Sequence, residues 1–242
     1  MSIKTSCTIA ALLLCTFPGR APADDHIVTR RTRTYMGTTM PARVTEIWCT
    51  DSATCLKGGR TTTVLRRDLK KSWTIASGNK RYFEEPLRES DDVQPGEEDT
   101  TDLHTYGYDY TPRFAWTLDT TAATDSIAGY ACRRAVVQGE ADYAAKTIEI
   151  WMTKDAPVDP GRYFDNCLRF SLDPDWLEIY RIFPTLKHHL IIKSRETYEP
   201  AIAPTIVNEV VVTTVEVATP PERVYELPEG YARVPFLEEL YR

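Results

Sequence analysis

Lys146-Thr147-Ile148-Glu149-Ile150-Trp151-Met152 decides the fold class. Ile148, Ile150 and Met152 recur at every second position with Thr147, Glu149 and Trp151 between them, and a period of two marks a strand with one buried face. The alternation continues on both sides of this stretch. Before it come Arg43–Cys49, the pair Thr61–Arg66 and Ser72–Ile75 about a charged turn at Arg67–Lys71, then Lys80–Glu84, Phe114–Leu118 and Tyr130–Val137. After it come Leu190–Thr197 and Ile206–Ala218. The last carries Val207, Val210, Val211, Val212, Val215 and Val217 on both faces, which predicts a central strand covered on both sides.

One stretch breaks the strand pattern. Leu172, Trp176, Ile179, Tyr180 and Phe183 recur at three- and four-residue steps and so share one face of a helix. Asp173 is placed to cap it, Pro174 suits its first turn, Asp175 complements its dipole and Pro184 stops it. A shorter helix is expected over Pro221–Glu226. The fold class is therefore mainly β (α+β), one curved antiparallel sheet with the amphipathic helix packed on its concave face. No linker composition divides residues 24–242, which read as a single β-rich domain. Within it, residues 89–105 are expected to form a solvated acidic loop: over residues 89–102, Glu89, Asp91, Asp92, Glu97, Glu98, Asp99 and Asp102 occur with no basic residue, around Pro95-Gly96.

Composition excludes disorder, collagen-like repeats and nucleic-acid binding. The 242 residues are 42% hydrophobic and 26% charged with a net charge of -6, whereas phosphate-backbone binding needs a basic surface. Residues 1–23 are expected to be a secretory signal peptide. Lys4 precedes the apolar run Ile9–Phe17, and Ala21-Pro22-Ala23 fits the cleavage pattern. The run falls short of the ~20 residues that span a bilayer. A lipid attached at Cys15 is the rival reading, but Leu14 before it is not small. Removing 23 residues from 242 leaves 219; Lys4 and Arg20 go too, taking 29 basic residues to 27 against 35 acidic, a net of -8. No later stretch reaches membrane-spanning length. The expected product is exported to a bacterial periplasm or secreted, and is not integral to the membrane.

Export gives the remaining cysteines, Cys49, Cys55, Cys132 and Cys167, the reading of disulfides. Three pairings are open. Local closure of Cys49 with Cys55 across the polar turn Thr50–Thr54 is the simplest, leaving Cys132 with Cys167. Zinc is disfavoured because no close cysteine pair recurs with matching Cys or His spacing, so no metal site is expected.

Three stretches, in order, resemble a known family: Thr61–Leu87, Ile127-Ala128-Gly129-Tyr130-Ala131-Cys132-Arg133-Arg134-Ala135, and Pro220-Pro221-Glu222-Arg223-Val224-Tyr225-Glu226-Leu227-Pro228-Glu229-Gly230-Tyr231. Together they are similar to exported bacterial proteins of the GLPGLI type and their uncharacterised relatives, grouped with lipoprotein-carrier-like (LolA-like) half-barrels. The resemblance spans most of residues 35–234 and implies a half-barrel and an envelope compartment, with no catalytic residues to carry over. The Gly-Leu-Pro-Gly-Leu-Ile string itself is absent, and Phe170-Ser171-Leu172-Asp173-Pro174 stands roughly in its place. Gly129 and the Leu227–Gly230 turn read as structural.

Chemical constellations are sparse. His188 and His189 are the sharpest candidates, but neighbours on a strand point to opposite faces, so at most one lines a given site. His26 is assigned to a polar N-terminal tail, and His104 follows the acidic run of residues 89–102. Ser72, Ser77, Ser126, Ser171 and Ser194 lack a Gly-x-Ser-x-Gly elbow. Glu84-Glu85 and Glu97-Glu98 are sequence neighbours rather than an opposed acid and base. Aromatic residues are the remaining lead. Trp116, Trp151, Phe170, Trp176, Ile179, Tyr180 and Phe183 are expected to line a concave apolar pocket, with the helix as plug or lid. The expected function is non-catalytic binding or carriage of a hydrophobic ligand, a lipid, acyl chain or lipoprotein segment, with no cofactor. The alternatives are a structural or stress-related periplasmic protein with a filled core, and a hydrolase.

Overall fold

The computed structural model describes residues 23–87, 113–168 and 174–241. Residues 1–22 of the expected signal, the acidic loop 89–105, Phe170 and the expected cap Asp173 lie outside them.

The described chain forms one sheet of thirteen strands. They are β1 (Asp24–Tyr35), β2 (Thr38–Thr39), β3 (Arg43–Cys49), β4 (Ala53–Gly58), β5 (Thr61–Arg66), β6 (Lys71–Ala76), β7 (Arg81–Pro86), β8 (Ala115–Ile127), β9 (Tyr130–Ala141), β10 (Ala144–Thr153), β11 (Leu190–Pro200), β12 (Ile206–Ala218) and β13 (Ala232–Val234). The order is β13-β7-β6-β5-β4-β3-β1-β12-β11-β10-β9-β8, with β2 paired to β1. Two meanders, β3 to β7 and β8 to β12, thus run outward from β1, and the sheet does not close into a barrel. Every pairing is antiparallel except that of β13 with β7, which makes the sheet mixed rather than purely antiparallel.

β1 corrects the assignment of His26 to a polar N-terminal tail. His26 belongs to the strand that joins the two meanders, its ring stacked on Trp48 at 4.1 Å. β4 was likewise hidden in what reads as a turn. β8 and β9 run longer than their apolar cores: the Thr/Ala-rich residues 119–127 continue β8, an edge strand that needs only one covered face. Ala128 and Gly129, at φ 52° and 84°, form the two-residue turn into β9, so the structural reading of Gly129 holds. β12 is internal, as expected, but it is not covered on both sides. Of its valines only Val212 is buried, and Val217 is 46% exposed.

The helical elements are α1 (Pro160–Tyr163), a π turn at Phe164–Leu168, α2 (Pro174–Ile182) and two short 3-10 turns, Pro184–His188 and Leu237–Tyr241. Asp159 caps α1, accepting from Gly161 N at 2.9 Å and Arg162 N at 3.2 Å, with Pro160 in the first turn. Pro221–Glu226 is a run of turns, not a helix. In α2 the expected spacing buries Trp176, Ile179 and Tyr180, which share a cluster with Ala135, Val137, Ile148 and Ile150 of β9 and β10. Each fully buried side chain of this size contributes roughly 1.5–3 kcal/mol. A buried cation adds a tie: Lys146 Nζ reaches Asp175 Oδ2 at 2.7 Å and Glu196 Oε1 at 3.0 Å, joining β10, α2 and β11.

The expected bridges are not formed: Cys49, Cys55, Cys132 and Cys167 are all buried and none is disulfide-bonded to another. On β3 and β4, Cys49 lies opposite Thr54 and Trp48 opposite Cys55. Cys49 and Cys55 are therefore one position out of register and point to opposite faces. Cys49 packs with Ile27, Ile47, Cys132 and Cys167, whereas Cys55 packs with Trp48, Val64, Trp73 and Ile75. Cys132 and Cys167 share a cluster without being bonded.

Candidate functional site

A cavity of about 380 Å³ lies between the helical segment and the middle of the sheet. Thr29 of β1, Ser194 of β11, and Val210 and Val212 of β12 face it from the sheet. Tyr163, Phe164, Trp176 and Tyr180 face it from the helical segment. Its volume falls in the roughly 300–1,000 Å³ range of small-molecule pockets. The cavity explains β12: Val210 and Val212 meet an open space where a second covering layer was expected.

Two ties fix the helical wall. Asp25, fully buried on β1, accepts from Arg162 Nη2 at 2.5 Å and Nε at 3.2 Å, a bidentate pair that anchors α1. Burial nevertheless holds the Asp25 carboxyl above the ordinary carboxylate value, with the Arg162 fork acting against it. In the π turn, Asn166 O accepts from Thr54 Oγ1 at 2.7 Å and Arg67 Nη1 at 2.5 Å, which places Phe164 and Cys167 over the sheet.

The seven expected ligand contacts divide. Trp176 and Tyr180 line the cavity. Trp116, Ile179 and Phe183 instead belong to, or pack against, the neighbouring apolar cluster that fills the junction of helix and sheet. There the Trp116 ring lies against Gly139, where an added Cβ would meet it at 2.5 Å, so Gly139 gives the indole its space. Trp151 alternates away from Ile150 and Met152 and lies beneath Arg134 and Lys193, at 5.7 and 5.1 Å from their charged groups. It is not part of the cavity wall. Phe170 is outside the described residues. Tyr163, Phe164 and the β1 and β12 positions were missed by sequence reasoning; the Asp159-Pro160 start signal was the available pointer to the first two.

Among the described residues, the polar side chains named as candidates are held in separate bonds. His189 lines the cavity with Ser194, but its Nδ1 donates to Thr185 O at 3.1 Å and no hydrogen bond joins it to the serine. Burial lowers the His189 pKa, and Lys154, His188 and Arg133 add to the effect. His188 is exposed. Glu84 accepts from Trp73 Nε1 at 2.9 Å and Glu85 from Ser72 Oγ at 3.1 Å, so both act in the sheet's side-chain bonding. Among the described residues no three His, Cys, Asp or Glu converge to hold a metal, and no helix is long and apolar enough to cross a membrane.

No protein-family model matches the sequence, and no curated protein aligns with it. Solved structures align at low similarity. PNGF-II in its P21 crystal form matches 88% of this chain and 31% of its own at 14% identity and TM-score 0.39. Its C2 form matches 90% and 32% at 12% identity and TM-score 0.38. This chain thus spans about a third of the length of PNGF-II. A LolA superfamily protein from Nitrosomonas europaea matches 84% of this chain and 90% of its own at 8% identity and TM-score 0.31. Neither protein brings a residue role to this chain.

Proposed function

We propose that this chain is an exported, non-catalytic binding protein that holds a lipid, an acyl chain or a lipoprotein segment in the cavity beside α2. The cavity is the observation that carries the reading. It brings Trp176, Tyr180, Phe164, Val210 and Val212 around an empty space at the centre of the fold, where close packing would otherwise be the more stable arrangement. On this reading the sheet is a half-barrel and α2 lies across its concave side as a lid, with Trp116, Ile179 and Phe183 as its packed hinge side. Export rests on residues 1–23, and the motifs at 61–87, 127–135 and 220–231 support an envelope protein.

The test is native mass spectrometry of protein purified from a bacterial periplasm, with displacement of a fluorescent acyl probe. Co-purified lipid, and probe binding lost in Val210→Phe while the fold is retained, are expected. A chain that carries no lipid and binds no acyl probe is not a carrier.

A further inference from the structure

A groove beside the site is strongly basic, in a protein whose net charge is -6. Arg31, Arg33, Arg43 and Arg60 line a groove of about 730 Å³ together with Thr45 and Thr61, and its lining contains no acidic residue. Arg31 lies directly opposite Arg43 across the β1–β3 pairing, and Arg33 shares their face two residues on. Like charges facing one another across a pair of strands destabilise the sheet. None of the four has an ion-pair partner among the described residues, although the chain holds 35 carboxylates that could supply one. The fold thus places an uncompensated cationic cluster where a neutral surface would be more stable.

The groove adjoins the cavity at Arg31, which lines both. Glu196, the carboxylate on the cavity wall, is already engaged by Lys146 at 3.0 Å. Lys187 adds a further cation at the cavity, its Nζ 4.5 Å from the Phe164 ring centroid. Asn208 contributes an amide whose buried oxygen has no hydrogen-bond partner, on the same cavity wall and opposite Arg33 in the β1–β12 register. From Thr29 to Arg33 the strand advances about 14 Å at ~3.4 Å per residue, and along it the surroundings change from aromatic and aliphatic to guanidinium.

We propose that the ligand is an anionic amphiphile bearing a phosphate: its acyl chain occupies the cavity and its phosphate lies among Arg31, Arg33, Arg43 and Arg60. Planar guanidinium groups present paired donors that match phosphate oxygens, and a cluster of them selects a phosphate over a neutral polar head. The inference rests on the cavity being an acyl-chain site, and the experiment separates the two. The full chain is titrated calorimetrically with lysophosphatidic acid, with a monoacylglycerol of the same chain, with inorganic phosphate and with phosphatidylglycerol vesicles. Lysophosphatidic acid is expected to bind at least about tenfold more tightly than the monoacylglycerol, the scale of one charge-assisted hydrogen bond, and to weaken with added salt. Arg43→Gln and Arg60→Gln, both exposed and away from the cavity wall, should remove that advantage while monoacylglycerol affinity holds and the melting temperature stays level or rises as the cationic repulsion is relieved. Equal affinity for the two acyl ligands, or arginine variants that leave lysophosphatidic acid unaffected, overturns the phosphate subsite and leaves the cavity reading intact. Binding of inorganic phosphate or of vesicles as strongly as lysophosphatidic acid overturns the amphiphile. Failure of both acyl ligands overturns the cavity reading itself.

Discussion

Replacing Lys146 by methionine tests how α2 is held over the cavity. The Lys146 side chain is 7% exposed, and its ammonium reaches Asp175 of α2 at 2.7 Å and Glu196 of β11 at 3.0 Å. Methionine keeps most of the side-chain volume and removes the charge, so two carboxylates are left facing each other across a site they share. Breaking a buried pair by removing one partner costs about 3–5 kcal/mol. Here Asp175 and Glu196 are 27% and 15% exposed, and water screens them in part, so about 2–3 kcal/mol is the appropriate scale. For a chain of this length that is a fall in Tm of roughly 5–10 °C, read by circular dichroism. Acyl-probe affinity should fall as well, because the bridge ties the element that carries Trp176 and Tyr180. The triple variant Lys146→Met, Asp175→Asn, Glu196→Gln should recover most of the loss, since no unpaired charge then remains. The pH dependence has a definite sign. Burial acts to lower the Lys146 pKa, but Glu196 and Asp175 outweigh it and the pKa is raised above 10.5. The contribution is therefore fully present below the unfolded lysine value and is lost as pH rises through the folded one, so wild type and Lys146→Met should converge in strong alkali. A Lys146→Met protein that melts with wild type at neutral pH would refute the role given to this bridge.

The thiols and His189 supply two further tests. Burial pushes the Cys55 thiol up to about 11 and also raises Cys49 and Cys132, so alkylation at neutral pH should spare them in the native protein and modify them in urea. Rapid native alkylation, or an unreduced peptide joining Cys49 to Cys55, contradicts their placement on opposite faces. The His189 pKa lies below 6.5, so its contribution to stability is present above that value and is lost as pH falls through the folded value. Urea unfolding should show wild type losing more stability than His189→Gln between neutral pH and mild acid; parallel losses exclude the effect.

The elements legible in the sequence are those whose buried face is apolar along its length. β10 is read from Ile148, Ile150 and Met152, and α2 from Trp176, Ile179 and Tyr180, because each set meets a packed layer. β4 was lost because Cys49 and Thr54 pair across a short turn in which Thr50 Oγ1 accepts from Ala53 N at 2.9 Å, leaving few residues to show alternation. The same turn sets the parity that separates Cys49 from Cys55, which residue spacing alone does not reveal. The cavity was legible only in part. Trp176 and Tyr180 follow helical periodicity, but Tyr163 and Phe164 ride on a four-residue helix and a π turn too short to show a period. Val210 and Val212 signalled burial correctly and covering wrongly, since an apolar residue reads the same whether it meets a side chain or a ligand.

β1 was missed for a different reason, one that bears on how the site is kept in place. Its second half, Thr29-Arg30-Arg31-Thr32-Arg33-Thr34, has no apolar alternation because one face of it lines the open groove rather than a core. A strand so polar on both faces is free to slip in register, and a slip of one residue would carry Arg31 and Arg33 away from the groove. The buried first half prevents it. Asp24 accepts from the Tyr225 hydroxyl at 2.8 Å on one face, and Asp25 takes the Arg162 fork on the other. A one-residue slip would exchange the two carboxylates between faces, separating Asp25 from Arg162 and leaving Ile27, fully buried among Ile47 and Val212, on the side of Trp48. Register is thus fixed at Asp24, Asp25 and Ile27 and used several residues later, where the pleat delivers Thr29 to the cavity and Arg31 and Arg33 to the groove.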